Sequence, residues 1–332
     1  MPKISPIKQL TDAHDDGIWA AAWAPPTDAR PQAVLLTGSV DESVRVWAGD
    51  DLTPVRSNTG HTLGVVAIAA CPVSGRAAAS ALDCVVRVFD VDSNATVATL
   101  EAPPAETWHL AFHPQGSFLA VGGGSSQAVK LWSTATWQEA TTLDLPAGPA
   151  APATVGGSGS SSTTLAGRFV LSVAWSVDGK RLACSSMDGT VAVFDTSASP
   201  FRLLHFLEGH HLPVRSLAFS PIDPRILVTA SDDRHTHVYD VEGRQLIAAL
   251  SGHTSWVLSA DCSPDGATIA TGSSDRTVRL WDMRQRTALQ AGKEHKDQVW
   301  GVTFRPPGGE GVRAGRLASV SDDKSISLYD YS

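Results

Sequence analysis

The stretch that decides the fold is GHTSWVLSADCSPDGATIATGSSDRTVRLWD, residues 252–282. It starts with Gly252-His253, ends with Trp281-Asp282, and contains three short runs of strand-forming residues. Turn-forming clusters at 263–266 and 274–276 separate these runs. A Gly-His start and a Trp-Asp end, within a unit of about 40 residues, are typical of one blade of a β-propeller. The stretch therefore predicts an all-β protein built from repeated blades.

The same unit recurs along the chain. Each copy has an aromatic residue at the end of its third strand: Trp47, Phe89, Trp132, Phe194, Tyr239, Trp281 and Tyr329. The intervals between them are similar except for the one that precedes Phe194, which holds a Pro-, Gly-, Ser- and Ala-rich segment at 144–166. Such a composition predicts a flexible loop inserted into the repeat. We therefore expect residues 1–332 to form a single seven-bladed propeller.

Histidine and aspartate residues recur in register with the aromatic residues. The histidines near the start of a repeat are His14, His61, His210, His253 and His295. The aspartates six residues before the aromatic residue are Asp41, Asp83, Asp188, Asp233, Asp275 and Asp323, and the third repeat has Ser126 there. We expect each buried histidine to donate to the aspartate of its own repeat, with a serine of the second strand and the tryptophan completing the network. The complete sets are His14, Ser39, Asp41 and Trp47, and His253, Ser273, Asp275 and Trp281.

This periodicity favours a structural role over a catalytic one. Equivalent positions of a ring lie in different blades, so the histidines and aspartates cannot converge on one substrate. The chain also stops directly after the third strand of its last repeat, which would leave an open sheet edge. The run at 3–10 precedes the first histidine, and we expect this N-terminal strand to fill that edge and close the ring.

Large side chains lie at or near the start of the first strand of several repeats: Trp19, Trp108, Phe169, Arg215, Trp256, Leu258 and Trp300. In a propeller these positions surround the central channel on the face that carries the histidines and the aspartate turns. Tryptophan and arginine dominate the energetics of protein interfaces, so the set predicts a partner-binding surface for a short peptide with an apolar anchor. The alternative for each residue is packing between blades.

Composition and motifs exclude several other functions. A net charge of −8 and a pI near 5.7 argue against direct binding of nucleic acid. No apolar run approaches the length of a membrane span, and the N-terminus lacks the apolar core of a signal peptide. The four cysteines are widely spaced, which predicts buried thiols in a reducing compartment. No phosphate-binding loop, nucleophile elbow or HExxH motif occurs, so we expect no enzyme activity, no cofactor and no metal.

The repeats resemble the WD-repeat family over essentially the whole chain. Several blocks resemble more specifically the WD-repeat subunit of the superkiller (Ski) complex, and they include Trp19, Trp108, Arg215, Trp256 and Trp300, which the repeat itself does not need. The blocks are HDDGIWAAAW (14–23), GHTLGVV (60–66), TWHLAFHP (107–114), GRFVLSVAWSVDGK (167–180), LLHFLEGHHLPVRSLAFSP (203–221), SGHTSWVLS (251–259) and HKDQVWGVTF (295–304).

The resemblance implies a non-catalytic scaffold that binds a tetratricopeptide-repeat scaffold subunit and, with it, a DExH-box RNA helicase. Such an assembly supports 3′-to-5′ decay of mRNA by the cytoplasmic exosome. Relatives also act in the nucleus, in meiotic recombination and in transcription elongation. A different function is suggested by Trp281-Asp282-Met283-Arg284, which matches the W-D-x-R pattern of substrate receptors of cullin-type ubiquitin ligases. A G-protein β subunit is disfavoured, because we expect no coiled-coil helix before the first repeat.

Overall fold

The computed structural model describes residues 2–101, 107–124, 128–146, 169–307 and 315–332. These residues form 28 β-strands in seven antiparallel sheets of four, and they contain no helix. The sheets are the blades of a seven-bladed propeller, which confirms the predicted fold class. No helix in this described part of the chain is long and apolar enough to cross a membrane.

In each blade the first strand lines the channel and the fourth lies outermost. The strands of blades 1 to 4, from the channel outward, are β2 (Ile18–Ala24), β3 (Val34–Ser39), β4 (Val44–Ala48) and β5 (Pro54–Asn58); β6 (Val65–Ala70), β7 (Arg76–Ala81), β8 (Val85–Asp90) and β9 (Thr96–Glu101); β10 (Thr107–Phe112), β11 (Phe118–Gly123), β12 (Ala128–Ser133) and β13 (Glu139–Asp144); and β14 (Val170–Trp175), β15 (Arg181–Ser186), β16 (Val191–Asp195) and β17 (Arg202–Leu207). Those of blades 5 to 7 are β18 (Val214–Phe219), β19 (Ile226–Ser231), β20 (His235–Asp240) and β21 (Gln245–Ser251); β22 (Val257–Cys262), β23 (Thr268–Ser273), β24 (Val278–Asp282) and β25 (Thr287–Gly292); and β26 (Val299–Phe304), β27 (Gly315–Ser321), β28 (Ile326–Tyr331) and β1 (Ile4–Leu10).

The hydrophobic core lies between neighbouring blades. The second strand of a blade is covered on both faces, so β3, VLLTGS, is buried along its whole length, whereas four of the five residues of the outermost strand β5 are exposed. A continuous apolar run is what a strand covered on both faces requires. One cluster joins Trp47 and Leu35 of blade 1 to Val320 and Leu328 of blade 7. The blades therefore stabilise one another around the ring.

The N-terminal strand closes the ring, as the sequence predicts. Strand β1 pairs with β28 in antiparallel register from Ile4–Tyr331 to Leu10–Ile326, with a bulge after Pro6. Ile4 is 3% exposed and packs in the core cluster between blades 6 and 7. The Gln290 side chain of blade 6 accepts a hydrogen bond from the Ile4 N–H at 3.0 Å and donates to its carbonyl at 2.9 Å. The first strand is thus tied to two blades.

Some sequence expectations concern residues that the structure does not describe. The long interval in the repeat lies between the end of β13 and the start of β14, and residues 147–166 of the expected loop are outside the described residues. Ser126 is outside them as well. All four cysteines are free thiols, and burial raises the pKa of the Cys184 and Cys262 thiols.

Candidate partner-binding face

A chain of hydrogen bonds joins the histidine, the tryptophan and the turn aspartate within blade 1. The Trp47 indole N–H donates to the Thr37 hydroxyl at 2.8 Å, and that hydroxyl lies 2.7 Å from His14 Nε2. His14 Nδ1 lies 2.9 Å from the Asp41 carboxylate. The bonds fix the ring orientation: Thr37 donates to Nε2, and Nδ1–H donates to Asp41.

The expectation that Ser39 joins the histidine to the tryptophan in this network was wrong. Ser39 instead donates to the Asp16 carbonyl at 3.1 Å and accepts from the Asp41 N–H, so it shapes the turn. Thr37 and Ser39 are two residues apart on one strand and face the same side of the sheet, so the sequence alone did not distinguish them.

The other blades repeat the network with variations. In blade 6 Thr271 joins Trp281 to His253, which lies 2.9 Å from Asp275, and Ser273 donates to a backbone carbonyl. The equivalent hydroxyls are Thr229 beside His210 in blade 5 and Ser319 beside His295 in blade 7. Blade 2 has Ala79 at this position, and His61 Nε2 has no hydrogen-bond partner among the described residues. His61 Nδ1 still bonds to Asp83 at 3.2 Å.

The turn aspartates remain ionised because their hydrogen bonds outweigh burial. Burial by itself raises the pKa of Asp233, but the His210 hydrogen bond and charge lower it to about 2. The pKa values of Asp41, Asp275 and Asp323 are also lowered by their hydrogen bonds, against the effect of burial. The repeat of Asp188 lacks the histidine at its start, and Asp188 accepts from the Thr190 N–H and hydroxyl, within its own turn. These carboxylates hold turns in separate blades.

Two of the predicted surface tryptophans meet across the junction of blades 7 and 1. The rings of Trp19 and Trp300 are 5.1 Å apart between centroids and tilted by 33°. Both indole N–H groups donate to one carboxylate, that of Asp322, at 2.8 and 2.7 Å. A Cβ on Gly17 would lie 2.5 Å from the same carboxylate, so only glycine allows this approach.

Arg215 and Trp256 form a second group, at blades 5 and 6. The Arg215 guanidinium makes a two-point hydrogen bond to Asp232 and lies 5.8 Å from the centre of the Trp256 ring. Trp256 is 48% exposed. Its carbonyl accepts from the Ser273 hydroxyl and the Ser274 N–H, so the backbone beneath this exposed ring is fixed.

The remaining two aromatic residues line an apolar cavity between blades 2 and 4. Trp108 and Phe169 are in edge-to-face contact, with ring centres 5.8 Å apart. The cavity has a volume of about 390 Å³ and is also lined by Leu82 and Met187, which are 44% and 41% exposed. It offers the apolar pocket that a hydrophobic anchor of a peptide requires.

Leu258, which the sequence places in the partner-binding surface, is buried instead. Leu258 is 5% exposed and lines the wall of the central channel, a cavity of about 360 Å³. The same cavity is also lined by Trp19, Trp108, Arg215 and Trp300. We call the surface formed by these residues, Phe169, Trp256 and the apolar cavity the rim.

One further position of each blade contributes to the rim and was not predicted from the sequence. The residue immediately before the turn aspartate is Val40, Leu82, Met187, Asp232, Ser274 and Asp322, in that order around the ring. The repeats themselves contain a signal for this position, because it varies from apolar to acidic while the next residue is aspartate in six of the seven repeats. At this position the described residues are apolar in blades 1, 2 and 4 and polar in blades 5 to 7.

Comparison with known proteins agrees with the repeat architecture. A family model described as "WD domain, G-beta repeat" matches seven times, at residues 5–48, 52–90, 94–133, 159–195, 201–240, 244–282 and 287–330. The chain belongs to the WD-repeat family. Six of the seven matches include the outermost strand of one blade and three strands of the next, which is why the first repeat contains β1. The exception is the match at 159–195, which begins after β13.

Two relatives of this WD-repeat chain match it over nearly its whole length, and a third over about half. The "WD repeat-containing protein VIP3" of Arabidopsis thaliana is 60% identical over 330 residues, 99% of this chain and 100% of the relative. The "WD repeat-containing protein SL1-17" of Schistosoma mansoni is 33% identical over 96% of both chains. A maize guanine nucleotide-binding protein subunit beta is 30% identical over 49% of this chain and 44% of its own length.

WD-repeat propellers are generally non-catalytic scaffolds for protein interactions, and the geometry of this one suits that role. Within the described residues, no group of three or more His, Cys, Asp or Glu side chains is placed to hold a metal ion. His237 stacks on His210 with ring centres 3.8 Å apart. Its Nδ1 lies 3.0 Å from the Tyr239 hydroxyl.

Proposed function

We propose that this WD-repeat propeller is a non-catalytic scaffold subunit of the Ski complex, which supports exosome-mediated 3′-to-5′ decay of cytoplasmic mRNA. Its rim binds the tetratricopeptide-repeat scaffold subunit, and through that subunit the DExH-box RNA helicase. The observation that carries the proposal is the half-exposed Trp256, which the repeat does not need and which lies beside Arg215 on the face with the apolar cavity. A role in the nucleus, in meiotic recombination or transcription elongation, is the alternative.

The rim is organised before any partner arrives. Arg215 is held at two points by Asp232, and the Trp256 backbone is fixed by two hydrogen bonds. Binding therefore orders few additional side chains, and ordering each flexible side chain would cost about 0.5–1.5 kcal/mol. Exposed, rigid aromatic residues next to a pocket are typical of the residues that dominate binding energy.

Replacement of Trp256 by alanine tests the proposal. We expect Trp256→Ala to weaken binding of the tetratricopeptide-repeat subunit by about 2 kcal/mol or more, without a change in melting temperature, because half of the ring is already in solvent. Trp19→Ala and Trp300→Ala should weaken it as well. Isothermal titration calorimetry with the purified subunit measures the affinity.

A matched control is Ile222→Ala. Ile222 is 63% exposed in the turn between β18 and β19, at the end of blade 5 away from the rim, so this variant should bind like the wild type. Wild-type affinity in all three tryptophan variants would remove the rim from consideration. A fall in melting temperature together with affinity would mean that the rings are packing residues.

The ubiquitin-ligase alternative depends on one side chain. Arg284 is exposed in the turn after β24, where its backbone N–H donates to Asp282. If the chain is a substrate receptor, a cullin adaptor is recovered with it, and Arg284→Ala abolishes that recovery. Under the favoured function Arg284→Ala has no effect on the binding of the tetratricopeptide-repeat subunit.

A further inference from the structure

Asp261 places a carboxylate inside the central channel, below the rim. It is the fifth residue of β22 and lines the channel cavity. Arg215 and Trp300 of the rim are the second residues of their strands, so Asp261 lies about 10 Å further along the channel. Blades 1 to 5 have alanine at the position of Asp261: Ala22, Ala69, Ala111, Ala174 and Ala218. The repeat therefore does not need this carboxylate.

The charge of Asp261 has no counter-ion among the described residues. Its carboxylate accepts two backbone N–H groups, at 2.7 and 2.8 Å, and the hydroxyl of Thr303 in the next blade. Burial outweighs these hydrogen bonds and raises the pKa of Asp261 to about 6. Arg215, which lines the same cavity, is held by Asp232, and burial lowers the pKa of His109 to about 4, so that its ring is neutral. A carboxylate removed from water without a counter-ion favours the binding of a cation.

A buried hydroxyl on the same strand is also without a partner among the described residues. The third residue of the first strand accepts a backbone N–H of the next blade in three cases: His109 from Val173, Ser172 from Leu217, and Ser216 from Ala260. Ser259 holds this position in blade 6, is 8% exposed and lines the channel, but its Oγ is unpaired in the described part of the chain. Ser259 and Asp261 are two residues apart, so their side chains lie on the same side of the sheet. A ligand beside them meets a carboxylate and an unused hydroxyl.

The chemistry of the wall indicates which cation fits. The channel is lined by small or apolar side chains such as Ala20, Ala67 and Leu258, and its volume of about 360 Å³ suits a small ligand. A primary ammonium has three N–H donors and no acceptor, which matches a carboxylate, a hydroxyl oxygen and the carbonyl groups of the strand edges. Its alkyl chain would contact the apolar side chains. We propose that the channel binds a linear primary alkylammonium, the class that includes the free polyamines.

The depth of the site favours a free amine over a lysine of a protein that binds the rim. The side chain of lysine has a stem of four carbons, which is shorter than the distance of about 10 Å from the rim to Asp261. A free alkylammonium enters the channel along its whole length. The site therefore goes beyond the proposed scaffold function and does not depend on a partner protein.

Titration of the intact protein with n-butylammonium chloride, followed by ¹H–¹⁵N NMR, tests the proposal. The backbone N–H groups of Cys262 and Phe304 donate to Asp261, so their signals should shift and saturate. Binding should be at least about tenfold weaker for 1-butanol, which lacks the charge, and for ammonium chloride, which lacks the chain. N-acetyl-lysine methylamide should also bind at least about tenfold more weakly, because its backbone stays outside the channel. No shift of the two signals, or equal affinity for any of these three compounds, would overturn the proposal.

Asp261→Ala tests the carboxylate itself, with a side chain that five other blades carry at this position. It should weaken binding of n-butylammonium at least about tenfold. The control is Asp28→Asn, which removes one negative charge from the exposed loop between β2 and β3 and should bind like the wild type. Wild-type affinity in Asp261→Ala would refute the proposal, and the titration of the wild-type protein decides by itself if the variant does not fold. Binding of the tetratricopeptide-repeat subunit is measured separately, so the proposed function can fail or stand independently.

Discussion

Replacing Thr271 by valine removes the hydroxyl that joins His253 to Trp281 while keeping the shape of the side chain. Two polar atoms then lose their partners inside the blade: His253 Nε2, now 2.7 Å from the hydroxyl, and the Trp281 indole N–H, now 2.9 Å from it. Thr271 itself is fully buried and Trp281 is 2% exposed, so water does not replace the lost bonds. An unsatisfied buried donor or acceptor costs about 1–3 kcal/mol.

The expected loss of stability is therefore about 2–6 kcal/mol for the two groups together. For a chain of 332 residues, an unfolding entropy of about 2.1 cal/mol/K per residue converts this to a fall in melting temperature of about 3–9 °C. Differential scanning calorimetry measures it. The control is Thr254→Val, at an exposed position of the same blade, where the group bonded to Asp275 is a backbone N–H that the variant keeps.

A double-mutant cycle separates the network from the loss of one bond. Trp281→Phe removes the indole N–H, as Phe89 does naturally in blade 2, where Ala79 replaces the threonine. In that background Thr271→Val should cost about 1 kcal/mol less than in the wild type, because one of the two orphaned groups is already absent. An unchanged melting temperature in Thr271→Val, or strictly additive effects in the cycle, would refute the view that the hydroxyl connects the two rings.

Two further predictions concern closure of the ring and acid stability. Deleting residues 1–12 should lower the melting temperature by at least about 5 °C, because Ile4 leaves its core and β28 becomes an open edge. Deleting residues 1–2 leaves β1 intact and serves as the control. Equal melting temperatures of the two variants would contradict ring closure by β1. Burial and the charge of His210 lower the pKa of His237 from 6.5 to about 4, so the unfolded chain binds more protons there and stability falls as pH drops from about 6.5 to 4. His237→Phe should remove this loss, which is on the order of 3 kcal/mol of unfolding free energy between about pH 6.5 and 4. Urea unfolding at several pH values measures it. An unchanged dependence of the unfolding free energy on pH would assign the loss to other groups.

Much of the fold could be predicted because the same pattern of residues occurs in several repeats. The spacing from His253 to Asp275 and Trp281 recurs in other repeats, so each copy tests the others. The N-terminal closing strand could also be predicted, because the last repeat has only three strands of its own and a blade has four. Thr271 escaped notice because Ser273 lies on the same face of the same strand, and only the three-dimensional positions of the rings show which hydroxyl reaches both.

The sequence by itself thus determined the seven blades, the histidine and aspartate pairs and the aromatic positions around the channel, all of which depend on short-range periodicity. Only the tertiary structure decided which of those side chains face outward and which meet. Leu258 turned into the channel wall, while Trp256, two residues earlier, stayed half in solvent. Trp19 and Asp322 are 303 residues apart along the chain. Their contact exists because the ring closes and brings blade 1 against blade 7, which no local pattern encodes.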